Sequence, residues 1–394
     1  REKATDKVFH DIGRVKKEFR NKKKPILIIT GCVAQAEGDL ILKKDKYIDA
    51  VIGPQSYHKI NEIIKSIENK KKKVNFTDFD TIKKFDEISY VKNSNSQVSS
   101  IISIQEGCDK FCKFCVVPYT RGPEFSRALS DIKKETETLV SGGAKEIVLL
   151  GQNVNAYDNE KDSLSDLIIC LSKIKNLHRI RYTTSHPKDM TRALIKTHKD
   201  IKKLMPLLHL PVQSGSTKIL KDMNRKHTTN EYIEIINELI KNKPNIKFTS
   251  DFIIGYPGET ESDFNLTLDL LQKVKFIGTY SFIFSPRPGT PAADLKQIDK
   301  DIAKKRLKKF QRISEKIKME YRKSLLNTKV KVLFENRSSQ KNKYFGRDEH
   351  FNPVIVESNH NLIGESREVV IKKCNQNTMF GLVDPLRKSN NVAA

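Results

Sequence analysis

The stretch EGCDKFCKFCVVPYTRG at residues 106–122 carries three thiols, Cys108, Cys112 and Cys115, spaced four and three apart. The chain's three other cysteines, Cys32, Cys170 and Cys374, lie far from them and from one another. Cysteine this sparse does not build a disulfide scaffold, and a tight group of thiols points instead to a metal centre or to catalysis. No fourth cysteine and no histidine lies within the loop. Three protein ligands leave one coordination position open, which a catalytic centre needs and a purely structural one avoids. An electron-transfer ferredoxin supplies four cysteines. On the residues alone two other readings stand beside the catalytic one: a zinc ion completed by a distant ligand, and three buried thiols.

Such a loop needs a scaffold. With 394 residues, 37% of them hydrophobic, the chain is long enough for two or three domains with real cores. Apolar or β-branched runs occur at 99–105, 146–151, 179–185, 207–213, 247–255 and 276–284, and each of the first five is followed by helical periodicity. Capping-box pairs Ser163/Asp166, Thr228/Glu231 and Thr260/Asp263 open three of those helices. Six strands alternating with helices predict an α/β fold with a parallel sheet, open or curled into a partial (β/α)6 barrel. Chemistry in such folds sits at the C-terminal ends of the strands, and the thiol loop follows the first strand.

Ahead of this repeat, ILIITGCVA at 26–34, a helical pattern and AVIGPQ at 50–55 look like the back half of a small α/β domain. A lysine-rich polar stretch ending in KNSNSQ reads as a linker. After the repeat a charged helix at 297–325 gives way to period-two patterns at 330–336, 353–358, 368–373 and 379–383, which predict a small antiparallel β-barrel. The expected layout is an incomplete N-terminal domain at 1–70, a linker at 71–97, a core at 98–322 and a barrel at 323–388.

Lysine and arginine outnumber the acids 73 to 48, a formal charge of +25. That balance points to a polyanion, nucleic acid or an anionic membrane face, with an AT-rich genome that inflates lysine as the competing source. No window approaches the ~18 apolar residues of a membrane span and no signal segment opens the chain, so the expectation is a cytoplasmic protein.

At the thiol triplet, with Phe114 directly before Cys115, the sequence resembles the radical S-adenosylmethionine (SAM) superfamily. That resemblance implies a [4Fe-4S] cluster on Cys108, Cys112 and Cys115, with SAM on the fourth iron. The strings VVPYTRGPEFSR (116–127), LLGQNVNAY (149–157), TSHP (184–187), HLPVQSGS (209–216), FIIGYPGET (252–260) and SPRPGTPA (285–292) together resemble the methylthiotransferases. Within that branch they are most similar to the MiaB family, the tRNA 2-methylthio-N(6)-dimethylallyladenosine synthases, and the likeness runs from residue 1 to about 383.

The resemblance implies a transferase that places a methylthio group on carbon 2 of N(6)-isopentenyladenosine at position 37 of tRNA. Gly151, Gln152, Asn153, Asn155, Ser185, Gln213, Arg225 and Gly255 become candidate contacts to SAM. Tyr119, Arg121 and Arg127 become candidate contacts to an extruded base. The tail resembles a TRAM domain, in which Lys329, Lys331, Lys343, Arg347, Lys372 and Lys373 would hold phosphates and Tyr344, Phe345, Phe351 and Phe380 would stack on bases. Implied partners are the tRNA anticodon loop and an electron donor such as flavodoxin or ferredoxin, with no membrane and a monomeric state.

In this family a second [4Fe-4S] cluster, tied to sulfur delivery, sits on three N-terminal cysteines. Cys32 matches the third of them, and the other two belong to segments upstream of REKATDKVFH, so the expectation is a chain lacking its extreme N-terminus. The rivals are a sibling methylthiotransferase acting on threonylcarbamoyl-adenosine or on a ribosomal-protein aspartate, and a non-catalytic RNA-binding protein with a structural metal. His186 and His209 are read as structural, and Cys170 and Cys374 as small buried apolar residues.

Overall fold

The computed structural model describes residues 2–70, 74–77, 97–340 and 342–384. Its contacts divide the chain into two compact units, one from 1–92, 105–127 and 285–295, the other from 93–104, 128–284 and 296–394. Most of the stretch read as a linker, 71–73 and 78–96, lies outside the described residues, as does the end of the tail from 385.

In the first unit, α1 (Glu2–Glu18) precedes β1 (Ile28–Thr30), α2 (Cys32–Lys44), β2 (Ala50–Ile52), α3 (Ile60–Lys70) and β3 (Val74–Phe76). The three strands form one parallel sheet with β2 at its centre. β3 corrects the linker boundary, because residues 74–76 are part of this sheet. Three residues, VNF, flanked by lysines are too short a run for periodicity to mark, and the strand exists through its pairing with the buried Ala50–Ile52.

The second unit opens with β4 (Ser99–Ser103). The βα repeat continues through α5 (Leu129–Ser141), with the short α4 (Val117–Arg121) of the first unit lying between them in sequence. It then runs through β5 (Glu146–Leu150), α6 (Leu164–Ser172), β6 (Arg179–Tyr182), α7 (Arg192–Asp200), β7 (Leu207–His209), α8 (Thr217–Asp222), α9 (Thr229–Asn242), β8 (Lys247–Ile254), α10 (Glu261–Val274) and β9 (Gly278–Ile283). All pairings among these strands are parallel. The triplets β4-β5-β6 and β7-β8-β9 meet where Ile180 of β6 bridges Leu204, just ahead of β7. Six parallel strands in chain order are therefore continuous, as the alternation predicts.

The three capping boxes form as read, with Ser163, Thr228 and Thr260 each accepting from the N3 backbone while the acid reaches back. One apolar core runs through all of it. Phe252 of β8 packs on Phe276 and on Phe310 of α11 (Lys300–Ser324), with ring centroids 5.5 and 4.8 Å apart.

The tail is a closed barrel of five strands, β10 (Lys329–Arg337), β11 (Lys343–Arg347), β12 (Pro353–Glu357), β13 (Ser366–Cys374) and β14 (Met379–Val383). Two expectations change. KYFGR forms the fifth strand, unmarked in sequence because a glycine and flanking charges dilute its alternation. The barrel is also not wholly antiparallel, since β12 and β14 pair in parallel to close it. Tyr344 is buried in its core rather than free to stack on a base, and Arg181 and Arg347 lie over the Phe351 ring at 4.9 and 4.4 Å.

Core and barrel are joined by two buried arginines on β6. Arg179 donates to the carbonyls of Lys331 (2.8 Å), Arg347 (2.8 Å) and Asp348 (3.2 Å). Arg181 pairs with Glu146 at 2.8 Å and donates to Asp348 O and Glu349 O. Buried cations persist only where hydrogen bonds replace water, and here the acceptors are backbone carbonyls of the barrel. We expect Arg179→Met to lower unfolding stability by at least about 3 kcal/mol, because carbonyls lose charge-assisted donors worth roughly 1.5–3 kcal/mol each. Urea unfolding followed by circular dichroism measures this, and faster proteolysis at residues 325–328 would report the loosened barrel.

Candidate radical SAM site

The thiol loop lies in the first unit. Residues 107–116 contain neither helix nor strand, and the loop is held by closure at its ends and by Ala292 N–H, which donates to Lys113 O at 3.0 Å. Gln105–Glu106 pairs antiparallel with Phe125–Ser126, and Cys108 N–H donates to Gly122 O at 3.2 Å. Gly107 has φ +76, and a Cβ there would stand 1.8 Å from Pro123 O. Only glycine fits both the conformation and the space. Within the loop Cys115 N–H donates to Cys112 O at 2.9 Å, and Phe111 takes φ +47.

Cys112 is buried while Cys108 and Cys115 are half-buried. Burial chiefly pushes the Cys108 thiol up to about 12, with the charges of Glu124, Cys115 and Cys112 adding to it and a backbone hydrogen bond at Lys110 opposing. Among the described residues no three His, Cys, Asp or Glu side chains are arranged to hold one metal ion. A zinc ion needs its sulfurs converging on one point at about 2.3 Å, whereas a cubane takes each thiolate at a different iron. Three cysteines with no fourth ligand in the loop are the donor set a [4Fe-4S] cluster with an open iron would take.

Cys32 opens α2 in the same unit and is half-buried. Arg121 Nε donates to its Sγ at 3.3 Å, Arg121 Nη1 pairs with Glu106 at 3.2 Å, and Gln55 Nε2 donates to Arg121 O at 2.9 Å. This changes the reading of Arg121, whose guanidinium holds a sulfur and a carboxylate rather than facing an open surface. Arg127 is buried. Of the three residues read as facing a base only Tyr119 is exposed, at 50%, with its ring edge-on to Phe111 at 6.3 Å.

The second unit places the other candidates at the C-terminal ends of its strands. Gly151, Gln152, Asn153 and Asn155 follow β5, and Asn153 Nδ2 donates to Asp189 at 2.8 Å. Asn155 exchanges two 2.8 Å bonds with the backbone of His186, tying the loop after β5 to the loop after β6. His186 stands edge-on to His227, centroids 5.6 Å apart, which extends the rim to the turn before α9. Arg225 is buried, not solvated, and donates to Pro211 O, two residues before Gln213, itself buried at φ +78.

Gly255 ends β8. Its N–H donates to Glu259 at 3.1 Å, and Glu259 pairs with Arg306 of α11 at 2.9 Å. Burial pushes the Glu259 carboxyl up to about 7, against the pull of Gly255 N–H and Arg306. Ser185 Oγ is buried with no hydrogen-bond partner among the described residues, the kind of orphan a polar ligand satisfies. His209 stays structural, bonded through Nδ1 to Thr249 at 2.9 Å.

Asp189, His227 and the Glu259–Arg306 pair were not singled out as site residues. A carboxylate three residues beyond His186 in a strand-end loop was the available signal for Asp189; Arg306, 47 residues from its partner, carried none. Cys170 and Cys374 are half-buried rather than buried.

The radical SAM superfamily matches residues 102–271, and the uncharacterized protein family UPF0004 matches residues 1–53. The tRNA-2-methylthio-N(6)-dimethylallyladenosine synthase of Pelagibacter ubique is 56% identical over 385 residues, 97% of this chain and 86% of that protein. This chain belongs to that family. The synthases of Wolbachia pipientis and Rickettsia felis are 46% and 45% identical, each over 97% of this chain and 88% of theirs. Among solved structures, the cobalamin-dependent S-adenosylmethionine radical enzyme OxsB aligns over 80% of this chain and 46% of its own, at 12% identity and a TM-score of 0.49. The family reading made from the motifs and the expectation of a transferase both hold.

Gly107→Ala should abolish incorporation of the cluster while leaving the βα repeat folded, since the added methyl meets the carbonyl that closes the loop. Iron content after anaerobic reconstitution, set beside an unchanged far-ultraviolet spectrum, is the check.

Proposed function

We propose that the protein is a radical SAM methylthiotransferase that replaces the hydrogen on carbon 2 of N(6)-isopentenyladenosine, at position 37 of tRNA, with a methylthio group. The observation that carries this reading is 56% identity to a synthase of that name along 97% of the chain. Cys108, Cys112 and Cys115 would hold a [4Fe-4S] cluster whose open iron takes SAM, and the bound pair supplies a radical able to reach an aromatic C–H.

The remaining roles belong to the protein. The rim of strand ends positions SAM, with Ser185 Oγ, Gln213 and the Asn153–Asp189 pair offering polar groups and Gly151 and Gly255 allowing close backbone approach. Tyr119, exposed beside the thiol loop, offers a ring on which an extruded base stacks. Arg121 holds Cys32, the candidate ligand of a second, sulfur-delivering cluster, and fixes it to the same loop through Glu106. The five-stranded barrel acts as a TRAM-like RNA-binding domain, in which exposed Lys372 and Lys373 hold phosphates. Among the described residues no helix is long and apolar enough to cross a membrane.

The deciding experiment is anaerobic reconstitution of this chain and of Cys112→Ala, with iron and sulfide analysis, electron paramagnetic resonance before and after SAM, and mass spectrometry of nucleosides from treated tRNA. The reading expects at least about four irons per chain and a cluster signal that SAM perturbs, with that SAM-perturbed signal lost in the variant. Zinc without iron in the wild-type chain would overturn it.

A further inference from the structure

Helix α11 carries a feature that the site does not use. Lys305, Lys308, Arg312, Lys316 and Lys323 recur at intervals of three, four, four and seven, which puts them on one face of the helix. All five are exposed. The opposite face is fixed, since Ala303, Phe310 and Ser314 are buried and Leu307, Ile313 and Ile317 pack against the core. The eighteen steps from Lys305 to Lys323, at 1.5 Å each, make the row about 27 Å long.

No acid occurs from Ile302 to Ser314. Elsewhere on the helix Asp301 pairs with Lys304 and Glu315 with Lys318, and Lys316 reaches Glu320 only at 4.0 Å. Among the described residues no carboxylate pairs with Lys305, Lys308, Arg312 or Lys323. The row also continues onto the barrel. Arg322 Nη1 donates to Asn375 O at 2.8 Å, Asn327 N–H to Ile371 O at 2.8 Å, and Lys372 Nζ to Asn327 Oδ1 at 3.4 Å. Exposed Lys372 and Lys373 therefore stand where the helix ends.

We propose that this face of α11 is a second RNA contact, a rail for the phosphate backbone of the tRNA substrate continuous with the barrel; the proposal rests on the tRNA reading above. Unpaired cations held in a row on a rigid helix complement a polyanion and release its counterions on binding. Contacts of this kind set position and affinity without reading bases. A membrane surface fits less well, because a helix that lies on lipid inserts an apolar face, and the apolar face of α11 is buried in the core.

The test is equilibrium binding of tRNA carrying N(6)-isopentenyladenosine at position 37, followed by fluorescence anisotropy between about 50 and 200 mM salt. The proteins are the full chain, the triple variant Lys308→Gln/Arg312→Gln/Lys316→Gln, and a charge-matched control, Lys134→Gln/Lys173→Gln/Lys175→Gln, at exposed positions off the helix. The rail variant should bind at least tenfold more weakly at low salt, and its plot of log affinity against log salt should be shallower by about 2, three contacts at roughly 0.7–0.9 each. The control should keep the wild-type slope. Equal slopes in all three proteins, or equal losses in the two variants, would overturn the rail while leaving the tRNA reading intact. A wild-type chain that does not bind this tRNA removes both. Sedimentation with phosphatidylserine vesicles covers the lipid case: vesicle binding lost in the rail variant, with its tRNA slope unchanged, would assign the row to lipid and overturn the proposal.

Discussion

Three sulfurs on a loop without helix or strand must be held by bonds to the chain around it: Cys108 N–H to Gly122 O closes the base of the loop, and Ala292 N–H to Lys113 O holds its middle. The base closes because Gly107 adopts a conformation, and leaves a space, that no side chain would permit. The side-chain contacts of the first unit extend from that closure. Glu106, on the incoming arm, holds Arg121, near the end of the outgoing arm, and Arg121 holds Cys32. A single guanidinium thus fixes the distance between a thiol from the N-terminal sheet domain and the loop of three. Arginine suits the position, since its planar fork can donate to sulfur and carboxylate at once, where a lysine offers a point charge.

The second unit solves a different problem with similar means. The C-terminal ends of parallel strands present polar backbone to whatever fills the mouth, and these loops are stiffened by bonds to one another. Asn155 ties the loop after β5 to that after β6, Arg225 holds Pro211 O, and Glu259 bridges Gly255 to α11. A rim built this way is organised before a ligand arrives, which lowers the ordering cost of binding. The arginine pair on β6 uses the same device for architecture, satisfying two buried cations with backbone carbonyls of the barrel.

What the sequence made legible follows from the range over which each signal acts. Strand runs and capping boxes are local, so Ser163/Asp166, Thr228/Glu231 and Thr260/Asp263 were readable, as were the six strands of the repeat. The thiol triplet was readable because its spacing is local, within eight residues of sequence. β3 and β11 were not, because each depends on a partner strand more than on its own residues. The parallel pairing of β12 with β14 is likewise a property of barrel closure. Arg121 and Tyr344 show the limit for single side chains: type and position suggested an RNA-facing arginine and a stacking ring, but burial and partners decide, and one holds Cys32 while the other fills the barrel.

Charge raises the same question at larger scale. A genome that favours lysine raises the count everywhere, and a net charge of +25 alone does not separate composition from function. Arrangement does. Some exposed lysines carry an acidic neighbour, as Lys304, Lys318 and Lys329 do. Over Lys305, Lys308 and Arg312 that neutralisation is missing along an acid-free run of the helix. Holding like charges in a row costs folding free energy through their mutual repulsion, a cost that solubility does not require and that a polyanion lying along the row would relieve.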